Sequence, residues 1–379
     1  MAVPMAAEER MLIEMVRDLA REQIAPRAAA IDETGEFPWD IKELLARQDI
    51  LAMPFAEEYG GLGSSEVTIL MVIEELAKVC TTTSLLLCVQ QLGALPILLA
   101  GTPEQKRQWI PRLATGEWLA AFGLTEPGSG SDAGAMRTRA VREGDHYVLN
   151  GLKHFITNAG VAHVNTVFAV TEADKGVRGI SAFVVEEGTP GFHLGKVEHK
   201  MGIRGSQTGE LVFEDCRIPA ANLLGKEGEG FKIALATLDR TRPGIAAQAV
   251  GIAQGALDFA VQYAKQRVQF GRPIAENQGL QFLLADMEIA TEAARQLVRH
   301  VGELMDAGDT DFGRYSAIAK TFASDTAVSV TNDAIQVLGG YGYMKEFPVE
   351  RMMRDAKITQ IYEGTNQIQR VVIARSLLK

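Results

Sequence analysis

The first third of the chain shows a helical pattern of apolar positions. Met11, Met15, Val16 and Leu19 recur at spacings of three or four residues, with Glu and Arg between them, and this spacing places them on one face of an α-helix. The pattern predicts an all-α domain over residues 1–121. Its further helices are predicted over Trp39–Arg47, from a cap at Ser64 or Ser65 through Leu76, through Leu99, and from Pro103 to Leu113.

The pattern changes over residues 122–230. Short apolar stretches, such as Val164–Val170 and Ile180–Val185, alternate with Gly-rich or charged turns, which is typical of strands. We interpret this segment as a compact antiparallel β domain.

Long helical segments return over residues 231–379. They are predicted over Phe231–Lys265, Gln278–Met305 and Phe312–Leu338, which have the lengths of bundle helices. The order of the chain is therefore α, β, α, and the predicted fold class is α+β.

The composition is that of a folded globular protein. Of the 379 residues, 47% are hydrophobic and 23% are charged, values that exclude a disordered or fibrous chain. The formal net charge of −10 repels phosphate backbones, so we expect no nucleic-acid partner. The uncharged stretch Cys80–Pro103 is long enough to span a bilayer, but its threonines, glutamines and Pro96 favour a buried helix. We therefore expect no membrane partner.

Cysteine content and the N-terminal composition indicate a reducing compartment. The three cysteines are too few for a disulfide framework. Glu8, Glu9 and Glu14 interrupt the apolar residues of the N-terminus, unlike the layout of a signal or transit peptide. We expect a bacterial cytoplasmic protein rather than a protein of the mitochondrial matrix.

A Gly-rich run over residues 124–132, with the sequence LTEPGSGSD, is the first candidate site. Its backbone amides and hydroxyls could approach a flat, polar or phosphorylated ligand, or the run could be only a tight loop. It does not form the dinucleotide-binding pattern GxGxxG, because Asp132 stands where the third Gly is needed. A nicotinamide-binding Rossmann domain is therefore not expected.

Glu363 is the candidate general base. It stands just before a predicted helix start at Thr365, so it could also be an acid that complements the helix dipole. A carboxylate that removes a carbon-bound proton needs an apolar cleft that raises its pKa, and Ile361 and Tyr362 could supply the walls. Both interpretations stay open on the residues alone.

Two polar segments could bind a nucleotide. Arg267 and Phe270 place a guanidinium beside an aromatic ring, which suits a pyrophosphate and a stacked base; the alternative is a helix C-cap that ends at Gly271. The segment Asp239–Pro243 is either a solvated helix turn or a polar ligand clamp. The six histidines show no metal-site spacing, so we expect no metal.

Four ordered motifs resemble the acyl-CoA dehydrogenase family, and the resemblance covers essentially the whole chain. They are the run over residues 124–132, Phe155–Asn158, Gln266–Gly271, and Arg354–Lys357 leading into Ile361–Thr365. The resemblance implies an N-terminal helical domain, a central β domain and a C-terminal four-helix bundle. It also implies one FAD per subunit, a homotetramer, an acyl-CoA substrate and electron transfer to electron-transferring flavoprotein.

The resemblance also implies roles for individual residues. Glu363 corresponds to the base that removes the α-proton of the thioester while a β-hydride passes to the flavin; a minority branch has its base near Thr241, which cannot serve. The implied FAD contacts are Phe122, Thr125, Ser131, Phe155, Thr157, Arg267, Phe270, Gln278, Gln336, Gly340, Thr365 and Gln367. The implied acyl-CoA contacts are Ser131, Asp239, Arg242, Tyr362 and Gly364.

The chain departs from the family pattern at two positions, and the residues expected beside the acyl group indicate which substrate fits. Phe155 and Phe122 stand where the family commonly has Trp and often has Tyr, so an aromatic wall remains without its polar group. Thr83 lies near the place of the arginine of the glutaryl-CoA branch, and Leu85–Leu87 are bulky. We therefore expect an uncharged, short- to medium-chain acyl group. The alternatives are an acyl-CoA oxidase and a flavin-binding protein of the same fold without dehydrogenase activity.

Overall fold

The N-terminal part of the chain is helical. The computed structural model describes residues 7–378, so the predictions for residues 1–6 and 379 lie outside the described residues. Ser65 caps its helix by accepting a hydrogen bond from the backbone N–H of Thr68, and Thr102 forms a capping box with Gln105. The helices are α1 (Ala7–Leu19), α2 (Ala28–Thr34), α3 (Trp39–Arg47), α4 (Glu66–Ala77), α5 (Thr81–Ala100) and α6 (Pro103–Ala114).

A single sheet of eight strands follows. The strands are β1 (Ala120–Gly123), β2 (Arg139–Glu143), β3 (His146–Thr157), β4 (Val164–Val170), β5 (Ile180–Glu186), β6 (Phe192–Val197), β7 (Thr208–Pro219) and β8 (Leu223–Leu224). Their order is β6-β7-β3-β2-β4-β5-β8, with β1 beside β4. Strand β1 begins two residues before the boundary predicted at residue 122.

The prediction of a wholly antiparallel sheet is wrong. Strand β1 pairs with β4 in parallel, with Ala120 opposite Val164, and β2 meets β4 in parallel at Arg139 and Val170. The other pairs are antiparallel. Apolar stretches predict that strands exist, but they do not carry the relative direction of strands that are joined through other elements.

The C-terminal part is helical again. Its elements are α7 (Gly230–Gln266), a hairpin of β9 (Val268–Gln269) and β10 (Arg272–Pro273), α8 (Gln278–Asp306), α9 (Phe312–Leu338), α10 (Pro348–Thr359) and α11 (Asn366–Leu377). Helices α7, α8, α9 and α10 pack together, and α11 lies against α9. Ala246, Ala249, Ala319 and Ala323 are fully buried, so their small side chains let α7 and α9 approach closely.

One apolar core joins the two helical parts. Val72 of α4, Leu87 of α5, Val250 of α7 and Val330 of α9 all belong to it. Helices α5 and α7 are apolar and long enough to cross a membrane. In the most hydrophobic 18-residue stretch of each helix, however, 72% of α5 and 78% of α7 is buried inside the protein. Both helices therefore act as core helices here, and α7 brings its middle turns against α5 and the turn between α10 and α11.

Candidate active site

The turn between α10 and α11 carries Glu363 in an unusual backbone conformation. Glu363 has φ 51° and Gly364 has φ 91°. Gly364 tolerates the left-handed region, whereas a residue with a side chain adopts it at a cost of roughly 1–2 kcal/mol. The side chain of Thr365 then caps α11 by accepting from the backbone N–H of Ile368. The predicted helix start at Thr365 is confirmed, and the carboxylate stands directly before it.

Buried donors hold the carbonyl groups of this turn. The side-chain amide of Gln369 donates to the carbonyl oxygens of Glu363 at 3.1 Å and of Gly364 at 2.8 Å. Lys320 Nζ also donates to the carbonyl of Gly364 at 2.8 Å, and Arg242 Nε donates to that of Glu363 at 3.3 Å. These contacts offset the backbone strain. Within residues 7–378, the backbone N–H of Glu363 meets no hydrogen-bond acceptor.

The carboxylate of Glu363 is poised near neutral pH. Burial raises its pKa to about 7, against the opposing effects of a hydrogen bond from Thr241 and the charges of Arg242 and Lys320. Thr241 Oγ1 donates to Glu363 Oε2 at 2.8 Å. Burial and the nearby charge of Glu363 both raise the pKa of the Cys88 thiol, which places α5 beside the carboxylate. The group therefore changes its protonation state in the range where a general base is useful.

Four of the five residues predicted to contact acyl-CoA, namely Asp239, Arg242, Tyr362 and Gly364, lie around this carboxylate. Arg242 is only 3% exposed and donates through Nη1 to Asp239 Oδ1 at 2.5 Å. This burial of Arg242 argues against the solvated-turn interpretation of the segment. The hydroxyl of Tyr362 donates to Gln248 Oε1, and Gln248 Nε2 donates to Ser84 Oγ at 2.8 Å. Tyr362 thereby connects the turn of Gly364 to α7 and α5.

A cavity of about 430 Å³ opens beside Asp239. It is lined by Val177, Arg178, Gly228, Phe231, Lys232, Leu235, Ala236 and Asp239. A Cβ at Gly134 would lie 2.8 Å from Val177, so the loop that carries the exposed Ser131 borders the same region. Arg178 and Lys232 supply two cations that no motif of the sequence indicated.

A buried ion pair shapes the Gly-rich loop. Glu126 accepts from Lys153 Nζ at 2.7 Å and from the backbone N–H groups of Arg137 and Thr138. Lys153 Nζ also donates to the carbonyl of Leu124 at 3.2 Å. The carboxylate of Glu126 therefore joins the two ends of the loop.

The loop places predicted flavin contacts beside strand β3. The backbone N–H of His154 donates to the carbonyl of Thr125 at 2.8 Å, and the same strand carries Phe155 and Thr157. The side chain of Phe155 is a large apolar group that is 60% exposed, on a backbone with φ 58°. Phe122 packs its ring 5.0 Å from that of Phe168. The structure thus brings Thr125 alongside the strand of Phe155 and Thr157.

A second cavity, of about 500 Å³, collects three of the predicted nucleotide contacts. Its lining consists of Tyr263, Arg267, Gln269, Ile274, Val337, Leu338, Gly339, Tyr341 and Met344 together with Gln336 and Gly340. The guanidinium of Arg267 lies 5.2 Å from the centre of the Tyr341 ring.

The other predicted cofactor contacts lie outside this lining. Phe270 is fully exposed at the tip of the hairpin, and Gln278 begins α8 at the surface. Thr365 is the cap of α11, and Gln367 is exposed. Arg267 is the C-cap of α7 and also lines the cavity, whereas Gly271 turns the hairpin and does not stop the helix.

The structure brings together one group of possible metal ligands that the sequence did not indicate. Ligand atoms of His154, Glu198 and Glu210 lie within 4.8 Å of one another. Lys196 Nζ lies 2.8 Å from Glu198 Oε2 and already supplies a positive charge there. Spacing along the chain could not show this group, because the three residues come from separate strands or their ends.

Models of one protein family match three segments that together cover most of the chain. Residues 6–117, 121–216 and 228–378 match the N-terminal, middle and C-terminal domains of acyl-CoA dehydrogenase. The chain belongs to the acyl-CoA dehydrogenase family. The family is FAD-dependent, so this acyl-CoA dehydrogenase is a flavin oxidoreductase that acts on acyl-CoA, and the predicted family fold is confirmed.

Individual relatives are similar from end to end. An acyl-CoA dehydrogenase of Bacillus subtilis is 52% identical over 372 residues, and a cyclohex-1-ene-1-carbonyl-CoA dehydrogenase of Geobacter metallireducens is 53% identical over 373 residues; each match covers 98% of both chains. Butyryl-CoA dehydrogenase of Megasphaera elsdenii is 46% identical with a TM-score of 0.97. A chain from structural work on the electron transferring flavoprotein of Acidaminococcus fermentans is 48% identical with a TM-score of 0.98. Both structures cover 100% of each chain.

The residues around the larger cavity of this acyl-CoA dehydrogenase fit the ADP part of FAD. Arg267 supplies a positive charge and Gln336 an amide donor, which suit a pyrophosphate. A Cβ added to Gly339 or Gly340 would meet no atom within 4 Å, so the backbone there is open to close approach by a ligand. The donors and the space are both of the required kind.

The sequence did not indicate the residues that support the turn of the candidate base. The family resemblance points to Thr241 only as a residue that replaces the base of a minority branch, and none of the four motifs includes Lys320 or Gln369. The sequence does contain a feature that could have indicated Lys320, because this charged residue stands among Ala317, Ala319 and Ala323 on one helix. Gln369 offered no such signal, because a glutamine in the first turns of a helix is commonplace.

Proposed function

We propose that this acyl-CoA dehydrogenase converts uncharged short- to medium-chain acyl-CoA thioesters to trans-2-enoyl-CoA, with Glu363 as the base. The α C–H bond breaks and its proton passes to the Glu363 carboxylate, while the β-hydrogen leaves with its electron pair. Bound FAD supplies the hydride acceptor. The observation that carries the proposal is the carboxylate of Glu363, whose pKa is raised to about 7 and which Thr241 contacts at 2.8 Å.

The same turn supplies a donor for the thioester carbonyl. An α-proton is weakly acidic, so charge that develops on the carbonyl oxygen must be stabilised by fixed donors. The backbone N–H of Glu363 meets no acceptor within the described part of the chain, and the buried contacts of Arg242, Lys320 and Gln369 hold the turn. We infer that this N–H donates a hydrogen bond to the carbonyl oxygen of the substrate thioester.

The cavity beside Asp239 suits the CoA arm. Its two cations, Arg178 and Lys232, match the phosphates of CoA in charge, and Phe231 offers an apolar ring. Ser131 borders the region through the loop that approaches Val177. We infer that Ser131, Asp239, Arg242, Tyr362 and Gly364 line the path from this cavity to Glu363.

The proposed FAD contacts form two groups, one for the flavin ring and one for the ADP part. Thr125, Phe155 and Thr157 lie together at β3 and suit the flavin ring, with Phe122 nearby. Arg267, Gln336 and Gly340 share the cavity proposed for the ADP part. The exposed Phe270 and Gln278 are proposed to reach FAD of a neighbouring subunit, and Thr365 and Gln367 to contact FAD beside the base.

We place the acyl chain where α4, α5 and α7 meet, beside the uncharged side chains of Ile73 and Cys88. A Cβ at Gly244 would lie 3.4 Å from Ile73 and 3.7 Å from Cys88 Sγ, and Cys88 is near Glu363. A terminal carboxylate in this slot would be a buried charge without a partner, which is costly. The similarity to butyryl-CoA dehydrogenase supports a short linear chain, and the similarity to cyclohex-1-ene-1-carbonyl-CoA dehydrogenase makes a cyclic acyl group the competing substrate to test.

The partners and the assembly are part of the same proposal. Electrons leave to electron-transferring flavoprotein, a partner supported by the structural match from work on that protein. Exposed Phe270, Phe282, Ile289 and Tyr343 on the C-terminal helices and hairpins suit subunit contacts in a homotetramer. The bacterial relatives and three free buried cysteines support a cytoplasmic location. The domains are proposed to be residues 1–121, 122–230 and 231–379.

Anaerobic reduction tests this function. The purified protein is reconstituted with FAD and mixed with butyryl-CoA or hexanoyl-CoA under nitrogen; we expect the flavin absorbance to bleach. Electron-transferring flavoprotein is then added, and its reduction is expected to restore the colour. Retention of FAD without bleaching by any uncharged acyl-CoA would contradict the dehydrogenase proposal, and rapid turnover with O2 alone would favour an oxidase.

A further inference from the structure

A buried lysine stands behind the turn of the candidate base. Lys320 belongs to α9, and its residue is 0% exposed among Ala317, Ala319 and Ala323. Its ammonium donates to the carbonyl of Gly364 at 2.8 Å and to Asn366 Oδ1 at 3.0 Å. An ammonium is costly to bury, whereas an apolar side chain of similar length would fill this space without that cost. Helix packing alone therefore gives no reason for a lysine.

The charges that face Lys320 come from three elements. Glu363 in the turn and Asp325 of α9 favour its ammonium form, whereas burial and Arg242 of α7 oppose it. The balance lowers the pKa of Lys320 to about 7. Because its favourable charge partner with the largest effect is Glu363, the cation is stabilised where the candidate base is ionised.

The groups that face Glu363 complete the environment. Thr241 and Arg242 of α7 favour its ionised form together with Lys320. Cys88 of α5 and the neighbouring Tyr362 are neutral near pH 7, since burial raises the pKa of each. Lys320 is therefore one of two cations, with Arg242, that oppose the effect of burial on the base.

We propose that Lys320 is a positioning residue for the dehydrogenation, holding the turn that presents Glu363 and favouring its carboxylate form. The inference rests on the proposed function of Glu363 and adds a residue to it. Lys320 acts through Gly364, Asn366 and its charge, and it does not touch the substrate.

Hydrogen bonds that do not involve Lys320 also join this turn to α9 and α11, so we expect the turn to stay in place when the lysine is replaced. Asn366 keeps hydrogen bonds from its Nδ2 to Ser324 Oγ at 2.9 Å and to Asp325 Oδ1 at 2.7 Å. Gly364 keeps the donor of Gln369 at 2.8 Å. Loss of Lys320 removes one of the two cations near Glu363, one of the two donors to the carbonyl of Gly364 and the hydrogen bond to Asn366 Oδ1.

The pH dependence of kcat/KM tests the proposal with two variants and a control. K320M removes both charge and donor, and K320Q removes the charge but keeps an amide donor. K357M is the matched control, because Lys357 is an exposed lysine of α10 that contacts Gln360. Flavin content and far-ultraviolet circular dichroism establish that each variant is folded, and K320Q carries the test if K320M loses its flavin.

We expect the acid limb of the profile to move upward by about one pH unit in both Lys320 variants, because each loses a cation near the base. The rate at high pH should fall further in K320M than in K320Q, and K357M should follow the wild type. An acid limb that stays in place or moves downward in the Lys320 variants would overturn the proposal. Failure of wild-type reduction by acyl-CoA would instead overturn the function of Glu363.

Discussion

The hydroxyl of Thr241 and the carboxylate of Glu363 form a direct contact between α7 and the turn before α11. Thr241 Oγ1 donates to Glu363 Oε2 at 2.8 Å across 122 residues of sequence. A donated hydrogen bond stabilises the ionised carboxylate, so it opposes the effect of burial on the pKa of Glu363. The contact also shows that the side chain at position 241 reaches the same space as the proposed base.

The first prediction concerns the pH dependence of catalysis in T241V. Loss of the hydroxyl should raise the pKa of Glu363 above its present value of about 7, so kcat/KM should rise with pH through a higher range than in the wild type. A hydrogen bond to a charged group contributes about 1.5–3 kcal/mol, which corresponds to a shift of about one pH unit or more. Steady-state kinetics between pH 5.5 and about 9.5 measure the shift.

T241S is the matched control for that substitution. It keeps the hydroxyl and loses only a methyl group, so its acid limb should stay close to that of the wild type. A T241V profile that overlies the wild-type profile would mean that the contact does not influence the base.

The second prediction concerns the identity of the base. E363Q keeps the shape of the side chain but cannot accept the α-proton, so kcat should fall by about 10²- to 10⁴-fold while FAD and acyl-CoA still bind. The double variant T241E/E363Q should recover part of the rate, because position 241 lies in contact with residue 363. Single-turnover flavin bleaching measures both variants. A near-normal rate in E363Q would mean that another residue is the base. An inactive double variant would contradict only the idea that a carboxylate at position 241 can replace Glu363.

Periodicity and capping residues predicted the local structure well. Helix α3 over Trp39–Arg47 has the predicted bounds, and α6 extends only one residue past the predicted end at Leu113. Ser65 is the cap of α4, and Thr365 is the cap of α11. Each of these features is encoded within a few neighbouring residues, which is why the sequence alone could predict it.

Features that depend on distant residues were not predictable in the same way. The parallel pairing of Ala120 with Val164 depends on the path of the chain between them. The contacts of Lys320 with Gly364 and Asn366 join α9 to residues 44 and 46 positions further along the chain. Periodicity can show that Lys320 lies on an apolar face, but only tertiary packing shows which carbonyl accepts its hydrogen bond.

The third prediction concerns the cavity that contains Arg267. R267Q removes the guanidinium that lines this cavity beside Tyr341, so the affinity for FAD should fall by about 10- to 100-fold if one charge-assisted contact to the pyrophosphate is lost. R272Q is the control, because Arg272 lies in the same hairpin and bonds to Asn277 instead. Equilibrium dialysis of FAD with each variant measures the effect. Equal affinities in R267Q and the wild type would remove Arg267 from the cofactor site.

The fourth prediction concerns the buried pair of Lys153 and Glu126. K153M leaves Glu126 with its backbone donors but without its cation, so the free energy of unfolding should fall by about 3–5 kcal/mol. The double variant K153M/E126Q should be less destabilised than K153M, because no buried charge is then unpaired. K196M should change stability by about 1 kcal/mol or less, since Lys196 is itself exposed where it pairs with Glu198. Denaturant unfolding compares them, and a double variant that is no more stable than K153M would contradict the argument.

The last prediction concerns the length and charge of the acyl group. The acyl chain is proposed to lie beside Ile73, Cys88 and Gly244, none of which is charged, so kcat/KM should be highest for butyryl-CoA or hexanoyl-CoA and low for glutaryl-CoA. Each methylene that fits should contribute about 0.8 kcal/mol until the slot is full. G244A adds a Cβ at ordinary contact distances of 3.4 Å from Ile73 and 3.7 Å from Cys88, so it should fold and move the optimum to a shorter chain. A series from four to sixteen carbons, with cyclohex-1-ene-1-carbonyl-CoA included, measures this in both proteins. An optimum at twelve or more carbons, at glutaryl-CoA or at the cyclic thioester would show that the slot has a different shape or partner, and an unchanged optimum in G244A would place the acyl chain elsewhere.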